Sequence, residues 1–130
     1  MPREVTTFLM FEGHAEEAMN LYISLFEGQV VRVDRYGPGE PGKEGSIKKA
    51  DFVVAGHRMA CIDSPVPHGF TFTPAVSLFV ECVDELEFER AFATLADGGA
   101  VLMPPANYGF STRFAWLNDR FGVSWQLNVQ

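Results

Sequence analysis

The stretch TTFLMFEGHAEEAMNLYISLFEG, residues 6–28, contains the change of period that decides the fold. Thr6–Phe11 is a short β-rich apolar run, which predicts a strand. From His14 to Phe26 the apolar residues recur at helical spacing, which predicts a helix with one apolar face. Gly28 follows as a candidate for the C′ position that ends a helix. The stretch therefore predicts a strand followed directly by an amphipathic helix.

The rest of the chain completes this pattern and then repeats it. In the first half we predict a loop over the Gly- and Pro-rich residues 37–45 and strands at Gln29–Tyr36, Ile47–Val54 and Arg58–Asp63. A Pro-rich connector, Ser64–Pro74, follows. The second half predicts a strand at Ala75–Cys82, a helix at Asp84–Asp97, a loop at Pro104–Ser111, and strands at Ala100–Met103, Thr112–Asn118 and Val123–Val129. The order βαβββ is therefore predicted twice.

A direct comparison of the two halves supports this repeat. Sliding the first half by 70 positions without a gap brings Thr7 onto Ser77 and Gly28 onto Gly98. Each half alone is too small to close its own core. We therefore expect one α+β domain over residues 1–130, built from tandem βαβββ modules at 1–66 and 72–130. These modules would form a curved mixed sheet with helices on its convex face and a concave cleft inside.

Composition narrows the class of protein. The chain has 10 Lys and Arg against 17 Asp and Glu, so its formal charge is −7, which repels nucleic acid and anionic lipid. It contains no run of about 18 apolar residues that could span a bilayer, and its first residues lack a signal-peptide pattern. Two cysteines make no disulfide framework. We expect a cytoplasmic protein without nucleic-acid or membrane partners.

Four stretches of the chain carry a family resemblance: HAEEAMNLY at 14–22, IDSP at 62–65, TFTPA at 71–75 and WLNDRFGVSWQL at 116–127. They resemble the PhnB-like group of the vicinal oxygen chelate superfamily, which includes glyoxalase I, bleomycin-resistance proteins, fosfomycin-resistance enzymes and extradiol dioxygenases. The similarity extends over nearly the whole chain, and the last stretch is its most specific part. The resemblance implies a glyoxalase/bleomycin-resistance-like fold and a homodimer.

Sequences of this kind often bear the name 3-demethylubiquinone 3-methyltransferase. A methyltransferase that uses S-adenosylmethionine would be expected to show a Gly-rich strand-to-helix motif, and the chain has none. The residues themselves therefore give no support for methyl transfer.

The resemblance also implies where a metal would bind. Enzymes of the superfamily hold a divalent metal with His and carboxylate ligands on the first and last strands of the modules. Thr7 and Ser77 stand at the His positions, Gln126 stands where the family has Glu, and the fourth position falls near Ala60 or Cys61. Neutral hydroxyls and amides are weak ligands for such metals. We expect no metal and no cofactor.

The three histidines do not restore a metal site. His14 matches the N-cap candidate Asp84 in the repeat, His57 lies in a predicted hairpin turn, and His68 lies in the Pro-rich connector. No spacing typical of metal-binding histidines occurs. We interpret all three as structural or solvated residues.

Four residues are candidates for catalytic chemistry. Cys61 and Cys82 could act as thiolates only if their pKa values were lowered, and the favoured interpretation is that both are small buried side chains. Glu81 and Asp63 could act as acid–base groups at the rim of a cleft, with solvated strand ends as the alternative.

The alternation of side chains along the strands predicts a binding face. It mixes hydroxyls, an amide, a carboxylate and aromatic rings, as a cleft for a small, partly apolar ligand would. Tyr108, Phe110 and Arg113 could close over this cleft. The candidate ligand-binding residues are Thr7, Leu9, Phe11, Ser77, Phe79, Glu81, Trp116 and Gln126.

Three functions are compatible with this cleft. The first is metal-independent binding of a small molecule whose identity no motif reveals. The second is an enzyme of lyase, isomerase, dioxygenase or transferase type, acting on a small metabolite with a metal or an unusual site. The third is an adaptor with a vestigial cleft. The sequence favours the first and leaves the question of catalysis open.

Overall fold

The computed structural model describes residues 3–130, which form two compact units, one ending at His68 and the other beginning at Gly69. The first unit contains β1 (Thr7–Phe11), α1 (Ala15–Phe26), β2 (Gly28–Arg35), β3 (Ile47–Val54) and β4 (His57–Asp63). The second contains β5 (Leu78–Glu81), α2 (Glu85–Ala96), β6 (Ala100–Ala106), β7 (Arg113–Asn118) and β8 (Ser124–Val129). The predicted α+β class and tandem βαβββ order are confirmed. Within the described residues, no helix is long and apolar enough to cross a membrane.

In the first unit, four strands form a mixed sheet in the order β1-β4-β3-β2. β1 pairs with β4 in parallel, and the other pairs are antiparallel. α1 contacts β2, β3 and β4 and covers one face of this sheet. The core between them contains Leu9, Phe11, Ala18, Met19, Tyr22, Leu25, Phe26, Phe52 and Met59.

The second unit repeats this arrangement in the order β5-β8-β7-β6. β5 and β8 are parallel, and the remaining pairs are antiparallel. α2 contacts β7 and β8. Its buried side chains pack with the alternating apolar residues of those strands, and this core contains Phe88, Ala91, Leu95, Ala115, Leu117, Trp125 and Leu127.

The two helices are capped in different ways. The N-cap candidate Asp84 accepts a hydrogen bond from the Glu87 amide at 2.8 Å, and the Glu87 carboxylate accepts one from the Val83 amide at 2.9 Å, so the two residues form a capping box at α2. His14 makes no side-chain cap at α1. The cap of α1 comes instead from Asp63 at the end of β4.

The end of α1 differs by one residue from the prediction. Glu27, not Gly28, takes the left-handed conformation with φ 54°, and its amide donates to the carbonyl of Ile23. Gly28 is already the first residue of β2. A residue with a side chain therefore occupies the position expected for glycine.

Gly28 is needed for a different reason. A Cβ atom on Gly28 would lie 2.1 Å from the Val53 carbonyl oxygen, and one on Gly99 would lie 2.1 Å from the Asn118 carbonyl oxygen. Gly28 begins β2 and Gly99 directly precedes β6, which are the strands that follow the two helices. Each glycine faces the backbone of a neighbouring strand. The equivalent positions are thus 71 residues apart, one more than the offset that aligns the helices.

Two strands of the second unit begin or end at residues that differ from the prediction. β6 extends to Ala106 and includes Pro104 and Pro105, which we assigned to a loop. β6 is an edge strand, and its pairing with β7 shifts between Met103 and Ala106, so two residues without N–H groups are tolerated there. β5 pairs with β8 only over Leu78–Glu81 and is shorter than the predicted strand.

Candidate functional site

In the first unit, the structure places two predicted binding residues in the core. Leu9 and Phe11 are only 7% and 5% exposed, on the α1 side of the sheet, whereas Phe8 is 54% exposed. Thr7, two residues before Leu9 on β1, points to the same face as Leu9 and Phe11, and its hydroxyl lies 2.8 Å from Nε2 of His57. Leu9 and Phe11 are therefore structural residues and do not line an open face.

This error has a geometric cause. The offset of 70 residues that aligns the two helices equated Thr7 with Ser77, but the exposed rings of β1 and β5, Phe8 and Phe79, are 71 residues apart. Because successive side chains of a strand point to opposite faces, a slip of one residue exchanges the faces. In β1 the residues opposite the helix are Phe8 and Met10.

In the second unit, the predicted residues do share one face, the face opposite α2. Phe79 pairs with Gln126, and Gln126 pairs with Trp116 on the other side, so the three lie in one row across β5, β8 and β7. The Trp116 indole donates to the Ser124 hydroxyl at 2.9 Å, and that hydroxyl is 2.7 Å from the Ser77 hydroxyl. The structure therefore brings together four of the candidate binding residues, Ser77, Phe79, Trp116 and Gln126.

Glu81 lies on the same face, one row further along. It is exposed, and the side-chain amide of Asn128 donates to both of its carboxylate oxygens, at 3.2 and 3.1 Å. Asn128 is only 2% exposed. The side-chain alternation places Asn128 on the face of Gln126, but its bond to Glu81 depends on the register between β5 and β8, which local sequence does not reveal.

Three aromatic side chains surround Phe114 of β7 on this face. The ring centroids of Phe79, Tyr108 and Phe110 lie 6.4, 6.0 and 5.1 Å from that of Phe114. Phe79 and Phe110 are 52% and 58% exposed. The Tyr108 hydroxyl donates to the Pro104 carbonyl and fixes the loop that carries two of the rings. We call Phe79, Tyr108, Phe110 and Phe114 the aromatic cluster.

Arg113 does not join this cluster, contrary to expectation. Its guanidinium group lies 4.8 Å from the ring centroid of Phe88 in α2 and pairs with Glu89 on the same helix. Arg113 precedes Phe114 on β7, so the two side chains point to opposite faces of the sheet. The loop residues Tyr108 and Phe110 cover this face without a cationic neighbour from β7.

The sequence matches the 3-demethylubiquinone-9 3-methyltransferase family over residues 3–128, nearly the whole chain. The chain belongs to this family. A PhnB protein from Bacillus cereus shares 53% identity with a TM-score of 0.95, covering 98% of this chain and 100% of that one. The protein PA1353 from Pseudomonas aeruginosa shares 29% identity with a TM-score of 0.82, covering 99% and 98%.

A more distant neighbour shows the reach of the fold. FosX, a fosfomycin resistance protein from Listeria monocytogenes, is 11% identical with a TM-score of 0.61, covering 100% of this chain and 94% of that one. A comparison with curated proteins finds no match. The resemblance to the PhnB-like group and to the vicinal oxygen chelate fold is confirmed. Family and fold support the expectation of a small-molecule-binding protein of this group.

In this member of the 3-demethylubiquinone-9 3-methyltransferase family, Asp63 is a buried carboxylate bound by backbone amides. It is only 5% exposed. One of its oxygens accepts from the amides of Gly13 and Ala15 at 2.8 and 3.0 Å, and the other accepts from the Ile47 amide at 3.0 Å. Its hydrogen-bonding capacity is used to hold the start of α1 against β3.

The two cysteines of this family member are not nucleophiles. Burial, reinforced by the nearby Asp63 carboxylate, raises the pKa of Cys61 to about 12. Burial, reinforced by the Glu87 carboxylate, raises the pKa of Cys82 to about 11. Both side chains are therefore neutral thiols near pH 7, and the thiolate that nucleophilic catalysis requires is absent. The interpretation as small buried side chains is supported.

The side chains at the superfamily's metal-ligand positions do not fit a divalent metal. Thr7 is engaged with His57, and Ser77 is engaged with Ser124. Within residues 3–130, no three or more His, Cys, Asp or Glu side chains are grouped as metal ligands would be. Hydroxyls that bond to each other and a neutral Gln126 amide offer no charge to hold such an ion.

The first unit of this family member also contains a cavity of about 610 Å³. Its walls come from the residues after β1, the loop before β3 and the end of β4 with the segment that follows, and it is lined by Glu12, Gly13, Lys43–Ser46 and Asp63–Pro67. Within the described part of the chain, none of the eight candidate residues is among its lining residues. The sequence pattern gave no signal for this cavity because it lies between two loops.

Proposed function

We propose that the protein binds a small, partly apolar molecule on the face of the second sheet opposite α2. The observation that carries this proposal is the aromatic cluster, in which the exposed ring of Phe79 lies beside Gln126 and two residues from Glu81 on the same face. Pockets for small molecules combine apolar walls with a few polar groups that fix orientation. This face offers both.

The exposure of the rings supports a bound ligand. Exposed phenylalanines keep apolar area in water, and each square ångström that a ligand covers contributes about 25 cal/mol. Several such rings on one surface mark an interaction site more often than isolated apolar residues do. A vestigial face would instead be filled by its own side chains, whereas Phe79 and Phe110 remain more than half exposed.

Binding is favoured over catalysis by the chemistry of the neighbouring groups. The cysteines are neutral thiols, Asp63 is fully engaged with backbone amides, and the ligand positions do not fit a metal. The side chains on the proposed face are hydrogen-bonding and stacking groups. They can orient a molecule, and Glu81 is the carboxylate among them.

A neutral aromatic probe tests this proposal. We expect 3-phenylpropan-1-ol to bind and to change the fluorescence of Trp116, which lies in the row of Phe79, whereas Trp125 is buried on the α2 side. Phe79→Ala should weaken binding about tenfold, because an aromatic contact contributes about 1 kcal/mol beyond the area it buries.

The control removes an exposed apolar side chain elsewhere. Leu86 lies on α2 and is 78% exposed, so Leu86→Ala should leave the affinity for the probe unchanged. If both substitutions weaken binding equally, or if Phe79→Ala leaves the affinity for the probe unchanged, a site on this face is contradicted.

We also propose that two copies of the chain associate. The outermost strands β2 and β6 each leave two adjacent apolar side chains exposed, Val30 and Val31 in one and Val101 and Leu102 in the other. Exposed apolar edge strands are surfaces that proteins cover by association. Light scattering at micromolar concentration should give twice the chain mass of 14.4 kDa. A mass of one chain would contradict the dimer.

We infer a cytoplasmic location as part of the same proposal. Cys61 and Cys82 are free and buried, and unpaired cysteines suit a reducing compartment better than an oxidising one.

A further inference from the structure

We propose that the ligand of this face is a small organic cation, an ammonium group with N–H bonds attached to an aryl or alkyl body. This inference rests on the proposed function and specifies the chemistry of the same site. It follows from the carboxylate of Glu81, from an acceptor atom that has no partner, and from the charge of the second unit.

Glu81 provides a fixed negative charge beside the rings. The Asn128 amide donates to both carboxylate oxygens and so holds the exposed carboxylate in one orientation. Glu81 and Phe79 are two residues apart on one face of β5, which places their Cα atoms about 7 Å apart. A molecule whose ammonium group is a few bonds from an aromatic ring can contact both.

The unpartnered polar atom beside Glu81 is an acceptor. The Oδ1 atom of Asn128, the side chain that orients Glu81, is buried and has no hydrogen-bond partner among the described residues. Exchanging the nitrogen and oxygen of the Asn128 amide would place its oxygen against the Glu81 carboxylate. The amide nitrogen therefore faces Glu81, and Oδ1 has no partner. A buried acceptor without a partner is unfavourable, so the surroundings of Glu81 match a ligand that donates hydrogen bonds better than one that accepts them.

The charge of the second unit favours a cation. Residues 69–130, all of which the structure describes, contain three Arg against seven Asp and Glu, which gives a formal charge of −4. Arg113 lies against α2, and Arg120 stacks on the ring of Phe121 at 4.5 Å. Arg90 belongs to α2. An anion on this face would meet the Glu81 carboxylate without a compensating charge.

The aromatic cluster suits a cation as well as an apolar body. The faces of aromatic rings attract ammonium groups, and this attraction grows where water is excluded. Phe79 is exposed and lies two residues from Glu81 on the same face of β5, so a bound ammonium can contact a ring and a carboxylate together. The aryl or alkyl part then covers the remaining apolar area.

Three probes of one size and different charge test the inference. Calorimetry on the full chain at pH 7 would compare 3-phenylpropan-1-amine, 3-phenylpropan-1-ol and 3-phenylpropionate. We expect the amine to bind about tenfold more tightly than the alcohol, since a charge-assisted hydrogen bond contributes more than a neutral one. The carboxylate probe should bind most weakly.

Two matched variants assign the preference to Glu81. Glu81→Gln keeps an oxygen for the Asn128 amide and should remove the tenfold preference for the amine over the alcohol. Glu85→Gln makes the same change of charge at an exposed position in the first turn of α2 and should leave the preference intact.

The outcomes separate this inference from the proposed function. If amine and alcohol bind equally, or if Glu81→Gln leaves the amine affinity unchanged, the cation is wrong, while alcohol binding that depends on Phe79 still supports a site on this face. If no probe binds at millimolar concentration, both proposals are overturned.

Discussion

Replacing Asp63 by Asn should lower the free energy of unfolding by about 3 kcal/mol, because charge-assisted bonds are lost and a buried donor is left facing another donor. The carboxylate accepts amide hydrogens at both of its oxygens, from Gly13 and Ala15 on one and from Ile47 on the other. An asparagine of the same shape has one oxygen and one NH₂ group. Whichever way it is turned, the NH₂ group meets at least one backbone N–H.

Urea denaturation followed by circular dichroism measures this loss. The matched control is Asp84→Asn, the same substitution at the start of α2, where Asp84 is exposed and caps the Glu87 amide with one oxygen. Asparagine is as good an N-cap as aspartate, so we expect a change within about 0.5 kcal/mol. Similar losses for the two variants would show that the buried network around Asp63 contributes no more than an exposed cap.

Replacing Gly28 by Ala should also lower the free energy of unfolding by about 3 kcal/mol, in the upper range for overpacked sites. The new Cβ atom would lie 2.1 Å from the Val53 carbonyl oxygen, which is backbone and cannot turn away as a side chain would. Gly28 pairs with Val54 at the first position of the ladder between β2 and β3. The two strands must therefore separate at that end.

Gly56→Ala is the control for this variant. Gly56 lies in the turn between β3 and β4 with φ +81°, and a Cβ atom there would meet no atom within 4 Å. The left-handed conformation alone should lower stability by about 1 kcal/mol. The comparison by urea denaturation isolates the steric part, and a Gly28→Ala variant no less stable than Gly56→Ala would contradict the close approach.

Much of the fold could be predicted from the sequence because it rests on local patterns. The period of the apolar residues predicts both helices, and Asp84 with Glu87 marks the start of the second. The order of elements follows from these periods and from the Gly- and Pro-rich loops. The family resemblance of the stretch at 116–127 then predicts the architecture that the comparisons confirm.

The candidate site was predicted only in part because it depends on distant contacts. Ser77, Phe79, Trp116 and Gln126 share a face as strand alternation predicts. Leu9 and Phe11 do not, since a single-residue difference between the helical and strand offsets exchanges the faces of β1. Local sequence carries no sign of that difference, which appears only when the packing of α1 buries Leu9 and Phe11 and leaves Phe8 exposed.

Arg113 illustrates a second limit. Its position next to a loop suggested a cation above the site, but its parity on β7 sends it to α2, where a ring and Glu89 hold it. The start of β7 decides this orientation. Where β7 begins depends on its pairing with β6, which continues through two prolines at the edge of the sheet. The composition of the loop alone therefore does not predict this boundary.

The different caps of α1 and α2 have a consequence for the order of folding. α2 finds its capping group within four residues of its own start, so its first turn can form while the rest of the chain is still extended. The group that caps α1 is 48 residues further along the chain, and a loop of that length must close before the cap exists. Two halves with the same architecture therefore reach it by different routes, one from local contacts outward and the other only when its last strand arrives.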